Sequence, residues 1–417
     1  MTVCYPIQSP PQDTAPPRRM PRTYLWLAGL AMASGSVVMM EPAPYDIALV
    51  LLLVAGVLLN RLAFQAIHRV PLLFLCGFLA ANVVSLAFAD DLRTGILYTG
   101  VNAYMAATWL FFVGMTSAHG SRGVQVLMRG YTLAGSLAVA LSSLAFFGVI
   151  HNQPLLLGAG RAQGLFKDPN VYGPYLVPML VYALMRLQGR RPRDGGFWWA
   201  LVVCIISALG VFLSFSRAAW INCGVAVVCF LGLQFVSGII RQRVSVSLLY
   251  SLLLVGLLAG GVAFLSASGE SAIGRMLAMR VREGGLQNYD SMRFYTHRLA
   301  LETVKERPLG IGPGQSELVF QYATHSMYLR ILAEDGVLGF AAFYGFVLLS
   351  LLRASKQALT RSNDFERNLF AVVSACVLGI LINGLVIDTI HWRHLWFLLG
   401  LACWVPRTSD DREAVES

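Results

Sequence analysis

Charge is scarce in this chain: 13% of its 417 residues are Asp, Glu, Lys or Arg, against 56% that are apolar. A water-soluble domain carries about twice that charge, so an ordinary soluble fold is excluded, and the mean hydropathy of +0.63 agrees. The seven cysteines, Cys4, Cys76, Cys204, Cys223, Cys229, Cys376 and Cys403, form no CxxC or Cys/His spacing. That gives neither a disulfide framework nor a metal site. The chain also has no glycine-rich phosphate loop and no dinucleotide fingerprint, so the energy for any reaction must arrive with the substrate. Residues 1–23 hold Pro10, Pro11, Pro16 and Pro17 but no apolar core. They read as a disordered cytoplasmic segment, not a cleavable signal.

What the chain has in abundance is long apolar runs, such as Tyr45–Leu59, Leu201–Leu213, Leu248–Leu265 and Gly336–Leu352. Runs of roughly 20 residues cross a ~30 Å hydrocarbon layer as helix, and helix is forced because an open strand leaves its backbone groups unsatisfied in lipid. The pattern predicts an all-α polytopic membrane protein with about twelve spans. They fall near 24–40, 45–59, 71–89, 95–117, 124–149, 171–187, 197–214, 218–238, 246–266, 325–352, 368–388 and 392–405. Nine spans thus occupy 24–266, a large loop containing helices occupies 267–324, three spans occupy 325–405, and 406–417 is a tail. Placing the N-terminus inside puts Arg18, Arg61, Arg122, Arg190, Arg241 and Lys356 on cytoplasmic connections, as the positive-inside rule asks. An even span count then returns the C-terminus inside. The net charge of +10 is mostly topology and calls for no nucleic acid.

Three outward places keep cations against that rule. The first is the loop His151–Asn170, ending in Arg161, Lys167, Asp168, Pro169 and Asn170. Asp168 before Pro169 reads as a helix start, and the two cations could meet an anion held there. The second is the tight turn Phe215-Ser216-Arg217-Ala218-Ala219-Trp220, where Arg217 stands at the membrane boundary. Its small, hydroxyl-bearing neighbours Ser214 and Ser216 leave room for a ligand. The third is the large loop, rich in both signs. There Asp290-Ser291 caps a helix running to about Arg307, and Arg293 and His297 share one face at i,i+4. Pro308, Gly310, Gly312 and Gly314 then end it.

After the glycines, His325 heads the tenth span, and His325, Tyr328, Leu332 and Asp335 fall on one helical stripe. Arg330 and Glu334 can pair at i,i+4. Ionisable groups running about 15 Å down a membrane helix imply a wet cavity opening outward. Near the C-terminus, the outer segment Asp388–His394 adds His391, Arg393 and His394 as candidates for sugar contact.

The ordered set Gly-Leu-Phe-Lys-Asp-Pro-Asn, Ser-Phe-Ser-Arg-Ala-Ala-Trp, Ser-Met-Arg-Phe with Pro-Leu-Gly-Ile-Gly-Pro-Gly, and His-Ser-Met-Tyr-Leu-Arg-Ile-Leu-Ala-Glu-Asp-Gly resembles the O-antigen ligase and polymerase superfamily of bacterial envelope proteins. It covers Arg161 to Gly339. The resemblance implies a GT-C-like, metal-independent inner-membrane glycosyltransferase that uses no cofactor and acts on the periplasmic side. Its donor is a glycan on undecaprenyl diphosphate, and its acceptor is lipid A-core for a ligase or a growing glycan for a polymerase, among membrane lipids. Carried over, the family's arginines match Arg217 and Arg293, with Arg161 as a third diphosphate contact, and its histidine matches His325 as general base. Guanidiniums suit a leaving diphosphate, and a neutral imidazole suits proton abstraction from a hydroxyl. Lys167, Asn170, His297, Tyr328, His391, Arg393 and His394 are candidates for substrate contact. Two departures stand out: Ser326 follows the histidine where the family commonly has asparagine, and Arg280 or Arg282 could take the place of Arg293. A secondary transporter or lipid flippase is the alternative. It would carry charges at mid-membrane and repeat symmetry, whereas the cations here collect at the outer boundary.

Overall fold

The computed structural model describes residues 22–151, 154–188, 190–242, 288–320 and 322–406, together with Gly256 and Gly274. The expected span at 246–266 and the loop residues Arg275, Arg280 and Arg282 lie outside the described residues. Within them the chain is mostly helical. The helices are α1 (Arg22–Ala33), α2 (Pro44–Leu58), α3 (Arg69–Ser85), α4 (Leu92–Phe146), α5 (Pro169–Leu187), α6 (Gly195–Leu213) and α7 (Arg217–Ile240), then α8 (Asn288–Glu306), α9 (Ser316–Phe320), α10 (Met327–Glu334), α11 (Gly336–Thr360), α12 (Asp364–Asn383) and α13 (Arg393–Ala402). A two-residue hairpin, β1 (Leu157–Gly158) with β2 (Arg161–Ala162), is the sheet among the described residues.

Among these, six helices are long and apolar enough to cross a membrane, and α1 and α2 are shorter apolar helices. The chain is a membrane protein. The difference from twelve has visible causes. The expected spans 95–117 and 124–149 are one 55-residue helix, α4, bent at Gly120 (φ 55°, ψ −143°), a conformation that residues with a Cβ avoid. The last expected span is α13, ten residues long and buried from His394 to Ala402. A segment that is apolar all round is stable where protein surrounds it. Trp396 and Phe397 anchor α13 against Phe343 and Phe346 of α11 and Phe112 and Tyr131 of α4. The rim is inverted relative to a soluble protein, with Leu51, Leu73, Val228 and Leu352 more than half exposed.

The tenth span is corrected most sharply. In place of a continuous 325–352 helix headed by His325, the chain forms the eight-residue α10, breaks at Gly336 (φ 69°), and starts α11 there. His325 and Asp335 therefore stand on no common membrane helix, and the stripe of ionisable groups down such a helix does not exist. Backbone packing dictates the break. The Pro308–Gly314 turn lies against it through Ile311 N–H to Ala333 O (2.9 Å), Gly312 N–H to Glu334 O (3.0 Å) and Val337 N–H to Pro308 O (2.9 Å). A Cβ on Gly336 would sit 2.4 Å from the Pro308 oxygen.

The ends of the bundle are fixed by α7 and α12. Arg241, at the end of α7, donates to the Arg361 carbonyl just before α12, while Gly379 late in α12 packs on Asn222 early in α7. The two helices are antiparallel, so Arg217 and Gly384 share one end.

Candidate functional site

That end gathers most of the residues singled out by sequence. The Gly384 carbonyl accepts from Met327 N–H at 2.9 Å, two residues beyond His325. His297, on α8, bonds through Nε2 to the Thr324 carbonyl at 2.8 Å, which tethers the loop helix to the residue before His325. Arg293 lies one turn earlier on α8, and its side chain falls outside the described residues. The α8 bounds match the predicted helix, which ends before Pro308.

His325 is half-buried, with its ring at 5.4 Å from Tyr322, edge to face, and its backbone at φ 47°. The residue before Arg217's N-cap, Phe215, is at φ 46°, and Ala159, two before Arg161, is at φ 50°. Non-glycine residues with positive φ cost energy that the surroundings must offset. Among the described residues five do this, and three of them are His325 itself or residues two positions before Arg161 and Arg217. Strain is concentrated at this end.

Arg217 opens α7. Ser216 is its N-cap, accepting from Ala219 N–H at 3.3 Å, and Arg217 is exposed, with no ion pair or hydrogen bond among the described residues. The two neighbouring hydroxyls are engaged by the fold: both serines are buried, Ser214 donates to the Val211 carbonyl at 2.6 Å, and Ser216 caps the helix. Arg161 spans from the hairpin to this turn. Its Nε donates to the Ser214 carbonyl (2.8 Å) and its Nη2 to Asn170 Oδ1 (2.9 Å). Asn170 sits in the first turn of α5, where Asp168 caps its N–H at 2.7 Å as the sequence predicts. Lys167 pairs with Glu41 at 2.8 Å, both side chains half or more exposed.

The remaining candidates are held by the fold. Tyr328 donates to the Leu381 carbonyl (3.1 Å) and stacks on Tyr344 at 4.7 Å. Arg393 forks onto Asp46 with two bonds of 2.6 Å, and Tyr104 and the Ala43 N–H complete that carboxylate's shell. His394 was expected at an outer mouth but is 3% exposed, stacked on Trp392 and edge-on to Tyr175. His391 contacts Tyr98 and bonds through Nε2 to Asn102 Oδ1 (3.0 Å), and Asn102 continues to Asn82 (2.6 Å). Burial pushes the His391 imidazole down to about 4, against the pull of Asp388. Asn102 Oδ1 can only accept, so Nε2 is the donor in this contact.

Sequence reasoning did not give weight to the ionic knot beneath these residues. The predicted Arg330–Glu334 pair is present at 3.3 Å, but Arg330 also binds Asp388 at 2.6 Å and lies 5.0 Å over the Tyr98 ring. Glu334 accepts from Gly314 N–H (2.8 Å), Ser316 N–H (3.2 Å) and Ser316 Oγ (2.5 Å). Gln315 clasps the Asp91 backbone from both sides, at 2.9 and 3.0 Å. The signal was available in part: Asp46 is a lone carboxylate inside an apolar run, and such a group needs a cation.

A cavity of about 510 Å³ at this end runs between Ala87–Asp90 and Glu306–Gly310. Neither Arg217 nor His325 lines it. Among the described residues no cluster of His, Cys, Asp or Glu is arranged to hold a metal.

Together these features define a polytopic helical membrane protein with a strained, cation-bearing end built beside a loop helix. Residues 200–344 match the family model described as O-antigen ligase, which supports the O-antigen ligase and polymerase superfamily. The match contains Arg217, Arg293, His297 and His325. No curated protein matches the chain significantly.

Proposed function

We propose that the protein is a membrane glycosyltransferase that moves a glycan from undecaprenyl diphosphate to an acceptor hydroxyl on the periplasmic side of the inner membrane. The observation that carries this reading is the O-antigen ligase match over residues 200–344. It contains two of the three candidate diphosphate-binding arginines, Arg217 and Arg293, and the candidate base; Arg161 lies before it. Further support comes from the tether between α8 and the segment of His325, and from Arg217, which is exposed without an acidic partner among the described residues.

In this reading Arg217 and Arg293 hold the diphosphate oxygens through charge-assisted hydrogen bonds, which strengthen as the glycosidic C–O bond breaks and negative charge grows on the leaving group. His325 takes the proton of the acceptor hydroxyl while its oxygen forms the new bond to the anomeric carbon. The diphosphate departs with the electron pair of the broken bond. In-line displacement then inverts the anomeric centre. Lipid A-core as acceptor makes the protein a ligase, and a second lipid-linked repeat makes it a polymerase.

The test uses purified protein with lipid-linked glycan and each acceptor in turn. His325→Ala is expected to cut transfer by about 10²–10⁴-fold while still binding the diphosphate lipid. Transfer at the unaltered rate would remove the base assignment. If the unaltered protein moves lipid-linked glycan across vesicles without forming a new glycosidic bond, the transporter reading replaces this one.

A further inference from the structure

At the other end of the bundle, a cavity of about 360 Å³ is lined by Arg129, Thr132 and Ser136 of α4, Tyr182 and Arg186 of α5, and Trp199 of α6. Sixteen residues of α5 separate Arg186 from Asn170, roughly 24 Å at 1.5 Å per residue. This cavity is therefore most of a hydrocarbon thickness away from the site described above.

Its chemistry is that of an anion site. Two guanidiniums line it, and among the described residues no carboxylate does. Neither Arg129 nor Arg186 has an ion pair among the described residues. Arg186 lies 6.0 Å from the Tyr182 ring centroid, so the aromatic face steadies that cation without neutralising it. Thr132 is 3% exposed, and its Oγ1 has no hydrogen-bond partner among the described residues. A buried hydroxyl left unpaired is costly, and an incoming acceptor oxygen would satisfy it.

The surroundings say where the anion comes from. Leu133, also on the cavity wall, is 61% exposed and Trp199 40% exposed. From them an exposed apolar stripe continues through Leu137 on α4 and Val202 and Ile205 on α6, toward the middle of the bundle. Tryptophan is favoured at the headgroup level of a bilayer, and basic pockets between membrane helices bind lipid headgroups. A ligand with a phosphate at one end and acyl chains at the other fits both halves of this surface.

We propose that this cavity binds the phosphate of an anionic phospholipid, with Arg129 and Arg186 as the cationic contacts, Thr132 as a hydroxyl donor, and the acyl chains along Leu133, Leu137 and Val202. Such a lipid clasps α4, α5 and α6 at one end, and the other ends of α5 and α6 carry Asn170 and Ser214, two of the contacts of Arg161.

The experiment is native mass spectrometry of the full-length protein in detergent, with phosphatidylglycerol, phosphatidylcholine or inorganic phosphate added. Phosphatidylglycerol is expected to stay bound in preference to phosphatidylcholine. Removing each arginine weakens retention by roughly fivefold, so Arg129→Gln with Arg186→Gln lowers it by roughly 25-fold. Arg191→Gln with Arg193→Gln removes the same charge from exposed positions nearby and leaves retention unchanged. Ser136→Leu, which fills the cavity and spares both arginines, also releases the lipid and serves as the reading if the arginine variants misfold. Equal retention in the cavity variants overturns the site. Inorganic phosphate competing as well as the lipid overturns the lipid assignment.

Discussion

Arg330 and Arg393 stand at the same end of the bundle as Arg217, yet the fold treats them in opposite ways. Arg330 is held by Glu334 and Asp388 and covered by Tyr98, and Arg393 is forked onto Asp46. Arg217 is exposed and meets no carboxylate among the described residues. A cation inside a helical membrane bundle persists when a partner offsets its desolvation, so the first two belong to the architecture. An arginine at a membrane boundary needs no partner to remain charged. The cations that hold the fold together are thus distinguishable from one that no described carboxylate engages.

The comparison breaks if removing charge has the same consequence in both places. Arg330→Met leaves the Glu334 and Asp388 carboxylates uncompensated, and a buried pair that loses one partner costs about 3–5 kcal/mol. The variant is expected to lose its monodisperse folded peak on size-exclusion chromatography after mild heating. Arg217→Met is expected to heat like the unaltered protein, since exposed substitutions fall within about 0.5 kcal/mol, while glycan transfer falls by about 10²-fold or more. Should Arg217→Met unfold the protein, its separate status is lost.

The Asp46–Arg393 fork sharpens the same point at smaller cost. Asp46→Leu and Arg393→Met are each expected to destabilise by about 3 kcal/mol, while the double variant recovers most of that loss, because replacing a buried pair with apolar groups is close to neutral. A double-mutant cycle on thermal stability measures it. Strict additivity would mean that the two side chains act independently despite their two 2.6 Å contacts.

How much of this was legible in the sequence depends on the range of the interaction. The α5 cap by Asp168, the loop helix ending before Pro308 and the Arg330–Glu334 pair are local, and spacing alone predicts them. Pairs between residues far apart in the chain, such as Arg330 with Asp388 or Arg393 with Asp46, leave no periodic mark. Nor does hydropathy show that α13 is short and wrapped by protein, because lipid and protein ask for the same apolar side chains. The break at Gly336 was hidden for a related reason: it depends on the Pro308–Gly314 turn lying across it, and an apolar run reads as continuous helix until that neighbour is known. That the Ser214 and Ser216 hydroxyls are engaged by backbone groups was equally hidden, because a hydroxyl satisfied locally looks the same in sequence as one that is not.

Arg161 falls between the two groups, and it gives the smallest and most discriminating effect. Two of its contacts are neutral oxygens, the Ser214 carbonyl and Asn170 Oδ1, reached at once from Nε and Nη2. Lysine keeps the charge but cannot reproduce this planar fork. If Arg161 chiefly positions the turn that carries Arg217, Arg161→Lys loses about 1–2 kcal/mol of bridging, transfer falls by about tenfold, and Asn170→Ala produces a similar loss. If its charge on the diphosphate matters more, Arg161→Lys retains most of the transfer activity while Arg161→Gln does not. Measuring initial rates for the three variants under identical donor concentrations separates the roles, because Asn170→Ala weakens the bridge and leaves the cation in place.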